Sequence, residues 1–481
     1  MSEGGRAETP VVVAGGSVAG LATALALGRK GHRVTVLERD PLAEFADAEA
    51  AFAAERRGAP QAHQTHGFLA RLTVTLRRQF PDIWQALLDA GAESMTLTGG
   101  LGPPEEGDDD LNVLIVRRTT FEWALRDAVR RETSVEYRPA TEVVGLLAGG
   151  GHMDDAARGA AVPHVCGVRL SDGTELPGDV VACTGRRGPL VSWLGDLGAE
   201  ITEEVADTHI VYLTRWYRRP DGAPTDVDAR LGGDFGYLKY LAVPCDGSTF
   251  SVTLAVRSSD RELRSQLMEP DAFDRACRVL PGPDRFVAAG PVVPLGPVLP
   301  MGGLINRLRH FTAPDGRPLV TGLHAVGDAH TCTNPMYGRG CALAFVQATL
   351  LAEAYAAHGD DAAARATAYE ALSAREIEPW FRTAVVMDSV GDSDGVPKEP
   401  DPMRRRFGVL VADVMLGRAA DPVVARGLLR MINTLVRPDE LMADADFVAR
   451  VASYFAGPEA DTSELDSLRV RRRDLLRALA A

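Results

Sequence analysis

Apolar positions along the chain recur with two periods. Residues 11–14, VVVA, form an unbroken apolar run, and a stretch of small residues, GGSVAG, follows at once. LATALALGRK then places apolar residues at helical spacing, and a second apolar run, VTVL, leads to Glu38. The pattern predicts a buried strand, a tight turn, a helix and a second strand, a β-α-β unit of about thirty residues. Residues 41–58, PLAEFADAEAAFAAERRG, interrupt it with an acidic, alanine-rich segment that reads as a helix or a mobile loop. Phe68, Leu69, Leu72 and Leu76 recur at helical spacing, which predicts an inserted helix behind a polar turn. LNVLIVRR reads as a strand running into a helix that turns Phe121, Leu125 and Val129 inward, with Thr119 or Thr120 as its cap.

From residue 134 onward, short alternating runs turned at AGGG and SDG read as a meander. DVVACTG repeats the opening pattern of a buried strand followed by small residues, so the chain is expected to return there to its first domain. Between 205 and 300 the residues become β-branched and aromatic, with prolines and a CDGS turn, which predicts an antiparallel sheet able to roof a pocket. A further buried strand ends in VGDA, a turn rich in Asn, Pro and Gly follows, and a long apolar helix starts near Cys341. Beyond 376 the period is helical, broken by the loop or linker VGDSDGVPKEPDP; residues 1–9 read as a disordered lead-in. There is no internal repeat and no heptad run.

Of the 481 residues, 46% are hydrophobic and 25% charged, the balance of a soluble globular protein of two or three domains. The net charge of −14 argues against nucleic-acid or anionic-membrane partners, which call for a basic surface. The arginine-rich end, RVRRRDLLRALAA, reads as the exposed face of a last helix. Six scattered cysteines without C-x-x-C spacing, and no signal segment, predict reduced thiols in a cytoplasm. No apolar run comes near the roughly 20 residues of a membrane span, so no membrane insertion is expected.

The turn after the first strand is an imperfect dinucleotide fingerprint. Gly15 and Gly20 stand at the first and third glycine positions, for the tight turn and for helix-on-strand packing, while Ser17 holds the second and offers a hydroxyl to a phosphate. Glu38 follows Gly20 by 18 residues, where an acid accepts from a ribose diol. His63 and His66 are spaced i, i+3, but no third ligand of metal-site spacing accompanies them, and no metal is expected.

GGSVAGL with VTVLERD, RRTTFEWALR, and VGDAHTCTNPMYGRG, in that order and spacing, resemble the flavin-dependent monooxygenases of the p-hydroxybenzoate hydroxylase type. RRGAPQAHQTHGFL is similar to an element of actinobacterial tailoring oxygenases, polyether epoxidases among them; Arg57, Gln61 and His66 match it, and His63 and Gln64 do not. The resemblance implies an α/β fold: a Rossmann-like FAD-binding domain (10–204 and 301–375), a second antiparallel-sheet substrate domain (205–300) and a helical C-terminal region (376–481). It implies that Asp328 holds the ribityl chain. It further implies that Asn334, Pro335, Gly338 and Gly340 present the flavin's pyrimidine side to backbone N–H groups, and that Arg118, with Arg117 as the neighbouring candidate, reaches FAD phosphate. Gly15, Gly16, Ser17, Gly20, Glu38, Arg39, Arg57, His66 and Gly185 complete the expected cofactor contacts. One departure stands out: where the family has an Asp-Gly pair serving flavin and pyridine nucleotide, this chain has ACTGRRG, with Thr184, Gly185 and Arg186.

The implied reaction is oxygen transfer from O₂ to a hydrophobic small molecule such as a polyketide, by hydroxylation or epoxidation through a flavin C4a-hydroperoxide, with NADPH or NADH as reductant. No catalytic base is assigned; Tyr212, Arg215, Tyr237 and Tyr240 are candidates on the sheet face. The alternatives are an FAD-dependent dehydrogenase or reductase of an isoprenoid or polyketide, and a flavin halogenase, whose lysine and Trp-x-Trp-x-Ile-Pro element are missing.

Overall fold

Val11–Ala14 (β1), all four side chains buried, opens into the turn at Gly15 and helix Val18–Gly28 (α1), and Val34–Leu37 (β2) returns parallel to β1. These are the described residues of a computed structural model, which covers 9–480 apart from 43, 150–161, 221–230, 289, 390–401, 416, 420 and 458–469. The lead-in, the end of the AGGG turn and most of the linker lie outside them. A Cβ on Gly20 would sit 1.8 Å from the Gly15 carbonyl oxygen, and Gly15 itself has φ +114°, so this turn accepts glycine at both places. The segment 41–58 holds one short helix, Ala48–Ala53, capped by Asp47. The inserted helix runs Ala70–Gln79, and Pro81 starts a second one to Asp89.

Helix Arg118–Arg131 (α2) begins before the expected caps, and Thr119 and Thr120 lie in its first turn. The chain enters it through a buried ion pair. Asp246 accepts from the Arg117 backbone N–H at 2.7 Å, from its guanidinium at 2.7 Å and from the Thr120 hydroxyl at 2.7 Å, which fixes the entry without a side-chain cap. Val135–Arg138 (β3) pairs parallel to β2 and so belongs to the first sheet, where the sequence pattern had put it in the meander. The meander proper is a three-stranded antiparallel sheet, Val143–Ala148, Val165–Leu170 and Glu175–Pro177. Asp179–Ala182 (β4) then returns to lie beside β1.

The second sheet centres on Ile210–Arg218 (β5), Leu238–Cys245 (β6) and Thr249–Arg257 (β7), all antiparallel, with Leu299–Met301 (β8) on β5. Its register puts Leu213, Arg215 and Tyr217 with Phe250, Val252 and Leu254 on one face, against helices spanning 261–288. Tyr212, Thr214 and Trp216 share the other face with Ser251, Thr253 and Ala255. The C-terminal helix Arg472–Ala480 buries Leu475 and Leu479 in the first of these layers, and Arg472 pairs with Asp260 and Glu262.

Ile305–His310 (β9) leads to Leu323–Ala325 (β10), which completes the parallel sheet in the order β10-β4-β1-β2-β3. Gly340–His358 (α3) packs on α1. At 19 residues it is long and apolar enough to cross a bilayer, unlike the expectation from the sequence, but 72% of its apolar window is buried in the fold. Glu378–Ser389 (α4) buries Trp380 in the core around α3, and the later helices pack over Leu101 and Leu111. Because the strands run parallel, the turns after β1, β4 and β10 meet at one end of the sheet, where open α/β folds bind ligands.

Candidate active site

At that end one guanidinium touches the start of two helices. Arg118 donates through Nη2 to the Ser17 hydroxyl at the head of α1 (3.0 Å) and through Nη1 to Cys341 Sγ in the first turn of α3 (3.4 Å). Neither helix has a side-chain cap at its N-terminus, so their first N–H groups and positive dipole ends face the same cleft as Arg118. Arg118 is held by Glu122, which accepts from its Nε at 2.8 Å, and by His66 Nε2, 2.9 Å from Nη1. His66 Nδ1 meets the Gln64 carbonyl at 2.9 Å, so that nitrogen carries the proton and Nε2 accepts. Burial, then the neighbouring guanidinium, pushes His66 down to about 3 and keeps it neutral.

Glu122 is the hub. It also accepts from the Ser17 hydroxyl at 2.8 Å, from Arg126 at 3.4 Å and from Arg56. Burial alone would raise its pKa; the arginines outweigh that and hold the carboxylate ionised far below the ordinary range. The Ser17 proton is thus committed to Glu122, and what Ser17 offers Arg118 is its oxygen. Arg56 reaches Asp40 at 3.1 Å and Glu38 at 3.4 Å. Glu38 in turn accepts from the Gly16 N–H at 3.0 Å and the Asp40 N–H at 2.8 Å, which pins the fingerprint turn to β2. The structure therefore brings Arg56, not Arg57, to the site. Arg57 is exposed beside Glu55, and Arg39 is exposed too. Arg117 serves Asp246 and Glu49, away from the helix heads.

Asp328 lies in the turn after β10, where burial raises its pKa against the pull of Arg186, Arg118 and Arg307. Arg307 and Arg309 on β9 fasten that turn by donating to the Asp328 and Ala329 carbonyls at 2.9 and 2.7 Å. Arg186, in the segment that replaces the Asp-Gly pair, thus comes to Asp328, and Gly185 turns that segment with φ +71°.

The NPMYGRG segment is fixed from both sides. Asn334 accepts from Tyr212 of β5 at 2.5 Å and donates to Asp388 of α4 at 2.9 Å. Asp388 also accepts from Tyr337 at 2.6 Å and from Asn306 of β9 at 2.7 Å. Pro335 is left lining the cleft beside the second sheet, and Gly340 is exposed at the head of α3. A Cβ on Gly340 would meet no atom within 4 Å, and Gly338 has φ +65°. Tyr212, Gln64, Thr65, Thr253, Pro335 and Met336 line a cleft between this segment and the second sheet. Of the four sheet candidates Tyr212 alone faces it with its functional end. Arg215 pairs with Asp274 at 2.6 Å on the far face, the Tyr240 hydroxyl abuts Gly282 there, and Tyr237 is outside the cleft. His63 and His66 turn to different partners, His63 to the Ala54 carbonyl. Arg56, Glu122 and Asp388 were missed from sequence; the acid four residues after Arg118 on its helix was the one available signal.

No family model matches the chain. Protein Rv3254 of Mycobacterium tuberculosis (strain ATCC 25618 / H37Rv) is 27% identical over 467 residues, 90% of each chain. Among solved structures, p-nitrophenol 4-monooxygenase PnpA of Pseudomonas putida DLL-E4 is similar with TM-score 0.59 and 18% identity, over 90% of this chain and 99% of its own. The probable FAD-dependent monooxygenase PqsL of Pseudomonas aeruginosa gives 0.57 and 16%, over 79% and 95%. The flavin-dependent brominase Bmp2 gives 0.53 and 16%, over 88% and 98%. The chain has the fold that these proteins share.

Proposed function

We propose that this chain, built on the fold of FAD-dependent monooxygenases, is itself one: it uses NADPH or NADH and O₂ to hydroxylate or epoxidise a small hydrophobic molecule such as a polyketide. The balance is substrate, O₂, NAD(P)H and a proton giving oxygenated substrate, water and NAD(P)⁺. The observation that carries the reading is Arg118 bridging the uncapped heads of α1 and α3 at the carboxyl ends of a parallel sheet. Two helix N-termini and the Arg118 guanidinium bring N–H donors to one place, which suits a diphosphate.

The residues fit FAD. The β1-α1-β2 unit is read as Rossmann-like, with Gly15, Gly16 and Gly20 giving the close approach that a dinucleotide needs, and Gly340 leaves the head of α3 open where a larger side chain would stand. Arg118 and the head of α1 would hold the diphosphate, Glu38 the adenosine ribose, Asp328 the ribityl hydroxyls, and the N–H groups after Gly338 the pyrimidine edge. Bound there, FAD supplies the electron relay from nicotinamide to O₂ and the oxygen transfer. The second sheet closes over the cleft and excludes water, and Tyr212, anchored to Asn334, stands between that segment and the substrate space. His66 stays neutral and keeps Arg118 turned to the cleft. The likeness to a brominase is one of fold, and the lysines among the described residues do not add to it: Lys30 donates to the Ala352 carbonyl behind α1, and Lys239 pairs with Asp234. The same reading keeps the protein in the cytoplasm, without nucleic-acid or membrane partners.

The test is to purify the protein, record its flavin spectrum, and follow NADPH and NADH oxidation with aromatic and polyene substrates in air and without O₂. A yellow protein whose nicotinamide use yields a product heavier by one oxygen supports the reading. Equal substrate turnover without O₂ replaces it with the dehydrogenase.

A further inference from the structure

The cleft under the second sheet carries hydroxyls whose protons can be assigned one after another. Gln64 donates through Nε2 to the Leu299 carbonyl at 3.2 Å, so its Oε1 is the atom that accepts from Thr214, at 2.6 Å. Thr214 has one proton and has given it to Gln64; the 2.6 Å contact between Thr214 and Thr253 therefore takes its proton from Thr253. Thr253 is then spent, and its 2.7 Å contact with Thr65 takes the proton from Thr65. By the same step Ser251, 2.8 Å from Thr65, donates to Thr65. Four hydroxyls thus point one way along the ladder, toward Gln64.

Across the cleft the same accounting holds for Tyr212. Asn334 donates through Nδ2 to Asp388 and accepts at Oδ1 from the Met336 N–H at 3.1 Å, so the phenol donates to Oδ1 at 2.5 Å. Thr65, Thr253 and Tyr212 all line the cleft, each with its proton engaged elsewhere and an oxygen lone pair left over. Among the described residues no charged side chain lines it; Tyr240 also borders it but turns its hydroxyl away to Gly282, which leaves the second N–H of Gln64 as a side-chain donor toward the cleft.

We infer that this wall selects substrates by hydrogen-bond polarity: the molecule it binds is uncharged and turns O–H or N–H donors toward Thr65, Thr253 and Tyr212. The inference rests on the monooxygenase reading for the identity of the cleft as the substrate space, and it narrows the substrate to neutral alcohols, phenols, enols or amides on an apolar frame. Carboxylates are disfavoured because the lone pairs of Thr65, Thr253 and Tyr212 would face an anion, and ethers because they bring no proton. Thr214 and Gln64 are the residues that set the direction. Thr214 is fully buried and does not line the cleft, so it acts through Thr253 as a positioning residue.

The test uses the FAD-loaded full chain and matched ligands: 2-naphthol, 2-methoxynaphthalene and 2-naphthoate, with farnesol, its methyl ether and farnesoate as an aliphatic set. Calorimetry reads affinity without turnover, and mass spectrometry reads oxygen insertion separately. At least one alcohol or phenol should bind about tenfold or more tightly than its ether and its acid. Thr214→Val frees the Thr253 and Thr65 protons to turn into the cleft and should bring alcohol and ether within about threefold of each other, while Thr214→Ser restores the gap. Should Thr214→Val fail to fold, the wild-type comparison still decides. Ethers or acids binding as well as alcohols, no O–H compound binding at all, or an unchanged gap in a folded Thr214→Val protein overturns the inference. Loss of FAD binding, or binding without oxygen insertion, counts against the monooxygenase reading instead.

Discussion

Glu122 shows how much can depend on one side chain. A carboxylate 1% exposed, with three arginines and a serine on it, is stable because each partner is an ion or a donor in contact. Glu122→Gln leaves Arg56, Arg118 and Arg126 without their common anion and is expected to lower stability by about 3 kcal/mol, measured by urea unfolding; a change under about 0.5 kcal/mol would rule out the hub. Two histidines, one at the site and one in β10, give the fold a pH signature. His66 is pushed to about 3 by burial and Arg118, and His324, which accepts from Arg365 at 3.3 Å, to about 3 by burial and Arg365. Both folded values lie below the ordinary 6.5, so between about pH 6.5 and 3 the unfolded chain binds more protons, and folded stability falls as pH is lowered through that window. Each histidine contributes a slope of about 1.4 kcal/mol per pH unit well inside it. Unfolding midpoints at pH 7 and pH 5 should differ accordingly, and His324→Gln should flatten the difference; equal midpoints would contradict the neutral, buried assignment.

Helix heads and turns carry the cofactor reading, and glycine separates their two kinds of demand. On α1, Gly20→Ala forces a Cβ to 1.8 Å from a backbone oxygen and should leave little soluble protein. At the head of α3, Gly340→Ala meets nothing and should raise apoprotein stability by about 0.5–1 kcal/mol, while Gly340→Leu should keep the melting temperature and abolish FAD binding, followed by flavin fluorescence. A leucine variant that binds FAD as tightly as the parent would move the flavin elsewhere. The strands and helices with an unbroken period were legible from sequence, because β1, β4 and α1 are almost wholly buried, β2 and α3 largely so, and all read as apolar runs. The start of α2 was not, since it is set by Asp246, 129 residues from Arg117. Arg56 and Arg57 differ by one step in an irregular segment where no period tells them apart. Tyr212 and Arg215 could have been parted by strand alternation, which puts residues three apart on opposite faces.

The molecule is closed by long-range ties that a linear reading does not contain. Asp388 comes from α4, 54 residues beyond Asn334, and joins β9 to the NPMYGRG segment. Asp388→Ala leaves two amides and a phenol without their acceptor. It is expected to cost about 2–3 kcal/mol and to weaken FAD binding while Gly340 and Arg118 are intact, measured by denaturation and flavin titration side by side; unchanged flavin affinity would reduce the tie to packing. The order of the parallel sheet has a consequence for how the chain is made. One of its two edge strands, β10, is Leu323–Ala325, whereas the strand it pairs with, β4, ends at Ala182. On the ribosome the antiparallel sheet, whose central strands follow one another between 210 and 257, can close while β4 still presents an open edge and α1 lacks its partner α3. The half-built first domain must wait through more than a hundred residues of synthesis with that edge uncovered, which makes nascent chains ending before 325 the species most in need of a chaperone.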